Sequence, residues 1–385
     1  MQRDFALRYS NNVNGQIVFA SNVIVRCPTD TPDPTMNSGC LGSRAGTNAR
    51  NNNSYDMRWL DIDDDPTTFD SSSADLVIPA GSHVLFAGLY WTGVQARGLV
   101  ITGSNGFTGV PVAAPNAAQI DRVKVKVPGS STYAPVVSTV VDTGPIANNS
   151  GYSAFADVTA QVVSAGAGTY TVADVQTGTG GNIGAGWTLV VAYADAAEPL
   201  RNLSVFDGLK VVSQGKPLSI PLSGFKTPSS GTVHTTIGVV AAEGDAGTTG
   251  DYLTVNNRTL TDAVHPANNT ENSTIASRGA QVTTKSPDWR NQLGYDSSLF
   301  EADGFLGNGD TTAIFAAQTT GDVYAPQAIT FATELYSPDV AFTKTATVLG
   351  DGVARPGATV RYQITATNNG NQNAIGTQIL SLIHI

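Results

Sequence analysis

Met57-Arg-Trp-Leu60, Asp61-Ile-Asp63-Asp64-Asp65-Pro66, Asp70-Ser71-Ser72-Ser73 and His83-Val-Leu-Phe-Ala-Gly-Leu-Tyr-Trp91 all lie in the stretch that decides the fold. The last segment is apolar at nearly every position, as in a strand at the centre of a sheet packed on both faces. The acidic and serine-rich segments before it read as a surface loop leading into that strand. This is the signature of a scaffold, and it holds no reactive arrangement.

The surrounding composition agrees. The chain has 385 residues, 41% hydrophobic and only 14% charged, with 40 glycines and 19 prolines. It is long enough for two or three domains. Charged residues fall well below the usual share of about 25%. Ser, Thr, Asn and Gly replace them, which suits exposed strand faces better than helix surfaces. Short β-type runs recur between turn residues from Gly15 to Tyr336. The class expected is all-β: a large β-sandwich or jelly-roll-like body over residues 1–338, as one sandwich or two. Asp157 to Gly166 is the best helix candidate, with Asp157 as N-cap and Gly166 as terminator. Residues 28–56 read as a long loop.

The formal net charge of −10 argues against nucleic acid as a partner, because phosphate binding needs clustered Lys and Arg. The one basic alternation, Arg122-Val-Lys124-Val-Lys126-Val, reads as a half-buried strand with Val123, Val125 and Val127 inward. Cys27 and Cys40 are the two cysteines, and they bracket a polar loop. That placement predicts a disulfide and an oxidising, extracellular compartment. Met1-Gln-Arg-Asp-Phe-Ala-Leu-Arg8 lacks the apolar run of a signal peptide, so the expectation is an internal start or a lost leader. No run of about 18 apolar residues is present, so no transmembrane segment is expected.

At Ser337-Pro338 the texture changes. Asp339-Val340 with Lys344, the turn Pro356-Gly357, and Tyr362-Gln-Ile364-Thr-Ala-Thr-Asn368-Asn-Gly370 follow in order. This module, residues 339–379, resembles the opening of the "domain of unknown function eleven" repeats, immunoglobulin-like units of bacterial surface and secreted proteins. It stops after two strands, too few to close a core alone. Residues 380–385, Leu380-Ser-Leu-Ile-His384-Ile385, look like a translated sequencing adapter. The larger part resembles the uncharacterised β domain that precedes such repeats, through Ser71-Ser-Ser-Ala-Asp75, Ala87-Gly-Leu-Tyr90-Trp91, Gly186-Trp-Thr-Leu-Val-Val-Ala-Tyr193, Arg201 to Gly208, and Glu243-Gly-Asp245 with Gly250-Asp251. The resemblance implies a cell-surface location and a scaffold or adhesive role toward glycans or proteins, with no chemistry to carry over. A crosslink from Lys344 to an Asn, as in some surface modules, is a further expectation.

Two acidic groups could carry chemistry. Asp61, Asp63 and Asp65 have the alternate spacing of a calcium loop's first ligands, although Pro66 and Ser72 stand where an EF-hand has Gly and Glu. A looser cage would recruit Asp70 or Asp75, and Asx turns in water are the plainer reading. Glu243, Asp245 and Asp251 form the second group, a turn or calcium site more readily than a glycosidase pair. His83, His234 and His265 are scattered, there is no Gly-x-Ser-x-Gly elbow, and Thr177 to Gly181 lacks the helix that would hold phosphate. Tyr90, Trp91, Trp187 and Tyr193 read as core. The function expected is a non-catalytic structural or adhesive surface protein; the alternative is a carbohydrate-binding or glycan-hydrolysing domain on the same stalk.

Overall fold

A computed structural model describes residues 2–146, 150–338, 340–368 and 374–381. Asp339 and Gly370 of the repeat motif, and residues 382–385 with His384, lie outside the described residues. The chain is all-β. Its largest sheet has eleven strands, in the order Ala280–Gln281, Ile275–Ser277, Tyr295–Glu301, Thr235–Ala242, Ala325–Glu334, Leu200–Leu209, Arg3–Val23, Gly186–Ala194, His83–Val94, Gly151–Asp157 and Val140–Gly144.

The 21-residue strand Arg3–Val23 is its pivot. Residues Gly15 to Val23 pair with Gly186–Ala194, while residues Arg3 to Asn14 pair with Leu200–Leu209. The two halves of the sheet face each other across one apolar layer that gathers Ile17, Tyr90, Phe155 and Val190 from the first half with Leu203, Val205, Val240 and Ala328 from the second. Contacts across the layer confirm the overlay. Thr188 Oγ1 lies 2.7 Å from Tyr295 Oη and 3.1 Å from Ser297 Oγ, and a Cβ on Gly238 would meet the Phe19 ring.

Each half is covered on its far side by a smaller sheet. Strands Lys285–Ser286, Ser71–Leu76, Gly168–Ala173, Arg122–Lys126 and Ala134–Val137 cover the first half, burying Leu76, Val123 and Val172 against Leu89, Trp91 and Trp187. Strands Leu218–Ser223, Thr312–Thr319, Asp251–Val255 and Arg258–Thr259 cover the second, burying Ile220, Leu253 and Phe315 against Ile237, Ile329 and Phe331. The body is thus two sandwiches stacked back to back and sharing one bent sheet. The period-two rule accounts for it: in Gly186–Ala194, Trp187, Leu189 and Val191 point to one layer and Val190 and Ala192 to the other. Strand His83–Val94 is buried on both faces in the same way, as its unbroken apolar run predicts.

Three local expectations need correction. The long loop over 28–56 contains a helix, Pro34–Arg44. Asp33 caps it by accepting from the Thr35 and Met36 amides at 2.8 and 3.3 Å, and Pro34 fits the first turn, where no donor is needed. Ser71 to Ser73 is a buried strand, because its polar atoms are used inside the protein: Ser72 Oγ accepts from the Trp187 indole at 2.8 Å and Ser73 O from the Asn22 amide at 2.9 Å. The other helix is Thr159–Ala165, with Val158 at its N-cap; Asp157 still accepts from the Thr159 amide, and Gly166 ends the helix at φ +73°.

Cys27 and Cys40 form a disulfide, fully buried, that clamps the helix Pro34–Arg44 to the end of the strand Val25–Arg26. The loop it closes spans 13 positions. Replacing both cysteines with serine should cost about 3 kcal/mol of unfolding free energy, mainly by freeing the unfolded chain. Urea titration of the oxidised protein and the double variant measures this, and equal midpoints would contradict the clamp.

Strands Val340–Val348 and Val360–Asn368 form an antiparallel hairpin whose residues are mostly exposed. Lys344 lies over the Tyr362 ring, 4.7 Å from its centre, and donates to Ser381 Oγ at 3.0 Å.

Candidate functional site

The first acidic group is divided among separate partners. Asp61 Oδ1 accepts from Ser71 Oγ at 2.6 Å. Asp63 Oδ2 accepts from Lys126 Nζ and Tyr133 Oη, both at 2.8 Å. Asp65 Oδ1 accepts from the Thr67 amide at 2.9 Å and its hydroxyl at 2.7 Å. Burial pushes the Asp63 carboxyl up, but Lys126 and Tyr133 outweigh it and hold the group below the usual range. Asp70 turns inward, fully buried, and accepts from the Val175 amide at 3.0 Å. Asp75 accepts from Thr169 Oγ1 at 2.6 Å. The basic strand's outward cations are what hold this loop: Lys126 pairs with Asp63 at 2.8 Å, and Lys124 donates to the Thr67 carbonyl while pairing with Asp174 at 2.9 Å.

The second acidic group is part of something larger. Where Thr235–Ala242 ends, the chain turns through Glu243 at φ +71°, a left-handed conformation that costs energy outside glycine. Asn182, Ser273 and Leu293, also at positive φ, lie around the same turn. The Glu243 amide donates to Gly294 O at 2.9 Å and Gly294 itself donates to Ser273 Oγ at 2.9 Å, so the strain is held by two neighbouring loops. A side chain on Gly244 would strike Asp296 Oδ2 and the Glu271 carbonyl, so only glycine fits there.

This turn forms one wall of a cleft of about 340 Å³, lined by Asn51, Asn182, Glu243, Asp245, Asp322 and Tyr324 among others. Asp245 Oδ2 accepts from Asn51 Nδ2 at 2.7 Å, and the Asp245 amide donates to Asp322 Oδ2 at 3.0 Å. Glu243 Oε1 is buried without a partner. Burial, reinforced by the Asp245 charge, raises the Glu243 carboxyl to about 8. The same two causes raise Asp322 to about 7. Such a recess can accept hydrogen bonds from a polar ligand, and Glu243 can hold a proton near neutrality. Asp251 lies deeper, beside Glu271 and Asp296.

Glu271, Asp296 and Asp322 were not singled out from sequence. Asp296 had only a weak signal, its place within the strand-like run Tyr295 to Glu301. Glu271 had none, because it sits in an irregular polar loop. His265 gains partners that sequence distance concealed. Its Nδ1 lies 2.9 Å from Asp262 Oδ1 and its Nε2 3.0 Å from Ser298 Oγ. That is the partner order of a nucleophile triad, yet His265 is fully buried against the Phe300 ring and Ser298 is 3% exposed, which seals the hydroxyl from solvent.

No family model matches the chain, and neither does any curated protein. Among solved structures, one similar chain is PNGase F, described as a glycosylasparaginase, from Flavobacterium meningosepticum. It is 12% identical, with 69% of this chain and 89% of that one covered, and the TM-score is 0.19. A superposition that loose carries no argument for fold or activity.

The remaining sequence candidates are structural. Tyr90, Trp91, Trp187 and Tyr193 are core residues. His83 opens a sheet strand, exposed, and His234 pairs with Asp303 at 2.6 Å on the surface. In the glycine run, a Cβ on Gly178 would meet the Ala96 carbonyl, and Gly180 adopts φ +108° against the Leu99 carbonyl, so close backbone packing explains those glycines. Among the described residues, no three or more Asp, Glu, His or Cys are spaced to hold a metal ion, and no helix is long and apolar enough to cross a membrane.

Proposed function

We propose that this chain is a non-catalytic structural or adhesive protein, secreted or displayed on a bacterial surface, in which the double sandwich is the presented body and the 340–368 hairpin opens an immunoglobulin-like stalk. The observation that carries this reading is the buried Cys27–Cys40 clamp on an all-β body, since such a crosslink persists in oxidising compartments. The resemblance of Lys344, Pro356-Gly357 and Tyr362 to surface repeats supports the stalk. Calcium at Asp61, Asp63 and Asp65 would require Lys126 to leave Asp63, so any ion there competes with an existing pair. The expected result is that protease added to intact cells expressing the gene releases fragments of the body before lysis. Fragments appearing only after lysis would refute the display.

One observation favours a second reading, a glycan-binding or glycan-hydrolysing site. Glu243, raised to about 8 beside Asp245 in the cleft, has the protonation of a general acid. Under that reading, Glu243→Gln abolishes turnover of a glycan panel while leaving the melting temperature in place. An unaltered protein that neither turns over nor binds any member of the panel removes it.

A further inference from the structure

One end of the layer between the second half of the bent sheet and its outer cover is filled with acids. Asp251 opens Asp251–Val255, Asp296 lies in Tyr295–Glu301 and Glu271 belongs to the loop that crosses both. Their exposures are 0%, 2% and 2%. The fold satisfies one oxygen of each aspartate and leaves the other bare. Asp251 Oδ2 accepts from the Glu271 amide at 2.7 Å and Thr270 Oγ1 at 3.3 Å, while Oδ1 has no partner. Asp296 Oδ1 accepts from the Thr274 amide at 2.9 Å, and Oδ2 has none.

Asn269 supplies an independent sign of a missing donor. It is bridged to Asp251 and tied through Nδ2 to Ala246 O at 3.1 Å, yet its buried Oδ1 is also unpartnered. The titratable groups acting on these acids are Asp245, Asp322 and Tyr324, and no cationic side chain is among them. Buried acceptors with no protein donor call for a proton, a cation or a bound water. Because the described residues show no three such groups spaced for a metal ion, protons fit better than an ion.

We propose that this cluster is a proton latch: protonated carboxyl groups pin the 244–250, 268–274 and 320–324 loops together, and their ionisation lets the loops part. The latch does not depend on whether the neighbouring cleft binds or hydrolyses. Burial first, and then the neighbouring charges, hold Asp296 and Glu271 well above the carboxylate range and Asp322 at about 7. The folded state therefore keeps protons that the unfolded chain has released above about pH 4. Its stabilising contribution is complete below that value and is lost as pH rises through the folded values.

Hydrogen exchange with mass spectrometry tests this at about pH 5 and about pH 8, corrected for intrinsic exchange rates. Peptides covering the three loops should lose protection roughly tenfold more than His83–Val94 does across that interval. Asp296→Asn and Glu271→Gln, tested separately, should flatten the loop-specific change. Equal pH dependence of the loops and the central strand would overturn the latch, even if neither variant folds. Restoration of full protection at the higher pH by millimolar calcium chloride would also overturn it, by making the neutralising species an ion.

Discussion

Trp187→Ala should lower the unfolding free energy by about 3–5 kcal/mol, one of the two largest losses expected from a single substitution here. Trp187 is fully buried between the first half of the bent sheet and its five-stranded cover. It sits beside Leu89, Tyr170 and Val172 around an apolar void of about 60 Å³, which truncation would enlarge. Its indole also donates to Ser72 Oγ at 2.8 Å, so the variant strands a buried hydroxyl as well. Trp187→Phe should lose about half as much, since it keeps most of the apolar contact. Val163→Ala, on the exposed face of a helix, should stay within about 0.5 kcal/mol. Urea titration with an unchanged slope is the measurement. A loss under about 1 kcal/mol for Trp187→Ala would mean the two sheets do not share a tight core.

Trp187 also marks where sequence reading works. A strand apolar on both faces announces its double burial, so the central strands and the fate of their rings were legible from Gly186 to Tyr193 and His83 to Trp91. The back-to-back stacking was not legible, because one long polar-looking strand makes it. Residues Arg3 to Asn14 carry Arg, Asp, Asn and Ser, and only their pairing with Leu200–Leu209 reveals a strand. The buried serines at 71–73 misled for the opposite reason: their partners, Trp187 and Asn22, are remote in sequence. The helix at 34–44 did carry a local signal in Asp33-Pro34, outweighed by the glycines and asparagines around it.

The acidic groups show the same limit. Regular spacing made Asp61, Asp63 and Asp65 conspicuous, yet the structure gives each its own partner. Glu243, Asp245 and Asp251 were visible between glycines, while Glu271, Asp296 and Asp322 join them only through the fold. Charge crowding is a tertiary property, and a count of aspartates along the chain does not measure it.

Asp207→Ala should cost a comparable 3–5 kcal/mol, through charge instead of volume. Asp207 is 1% exposed and lies in the second half of the bent sheet. Its Oδ1 accepts from Arg3 Nη1 at 3.0 Å and Arg8 Nη2 at 3.1 Å, and its Oδ2 from Arg8 Nε at 2.7 Å. Tyr90 Oη reaches the same Oδ2 at 3.4 Å from the other half. Arg3 continues to Asp142 at 3.0 Å, and the Arg8 guanidinium lies 4.5 Å above the Phe155 ring. One carboxylate therefore fastens the pivot strand to both facing halves. Its loss leaves Arg8 without its acceptor and the buried Tyr90 hydroxyl without a partner. Asp207→Asn, which keeps the shape and one acceptor, should cost about 2 kcal/mol. A double-mutant cycle with Tyr90→Phe isolates the bridge between the halves, and a coupling of at least about 0.5 kcal/mol is expected. Strict additivity of the two substitutions would show that Asp207 serves its own half of the sheet alone.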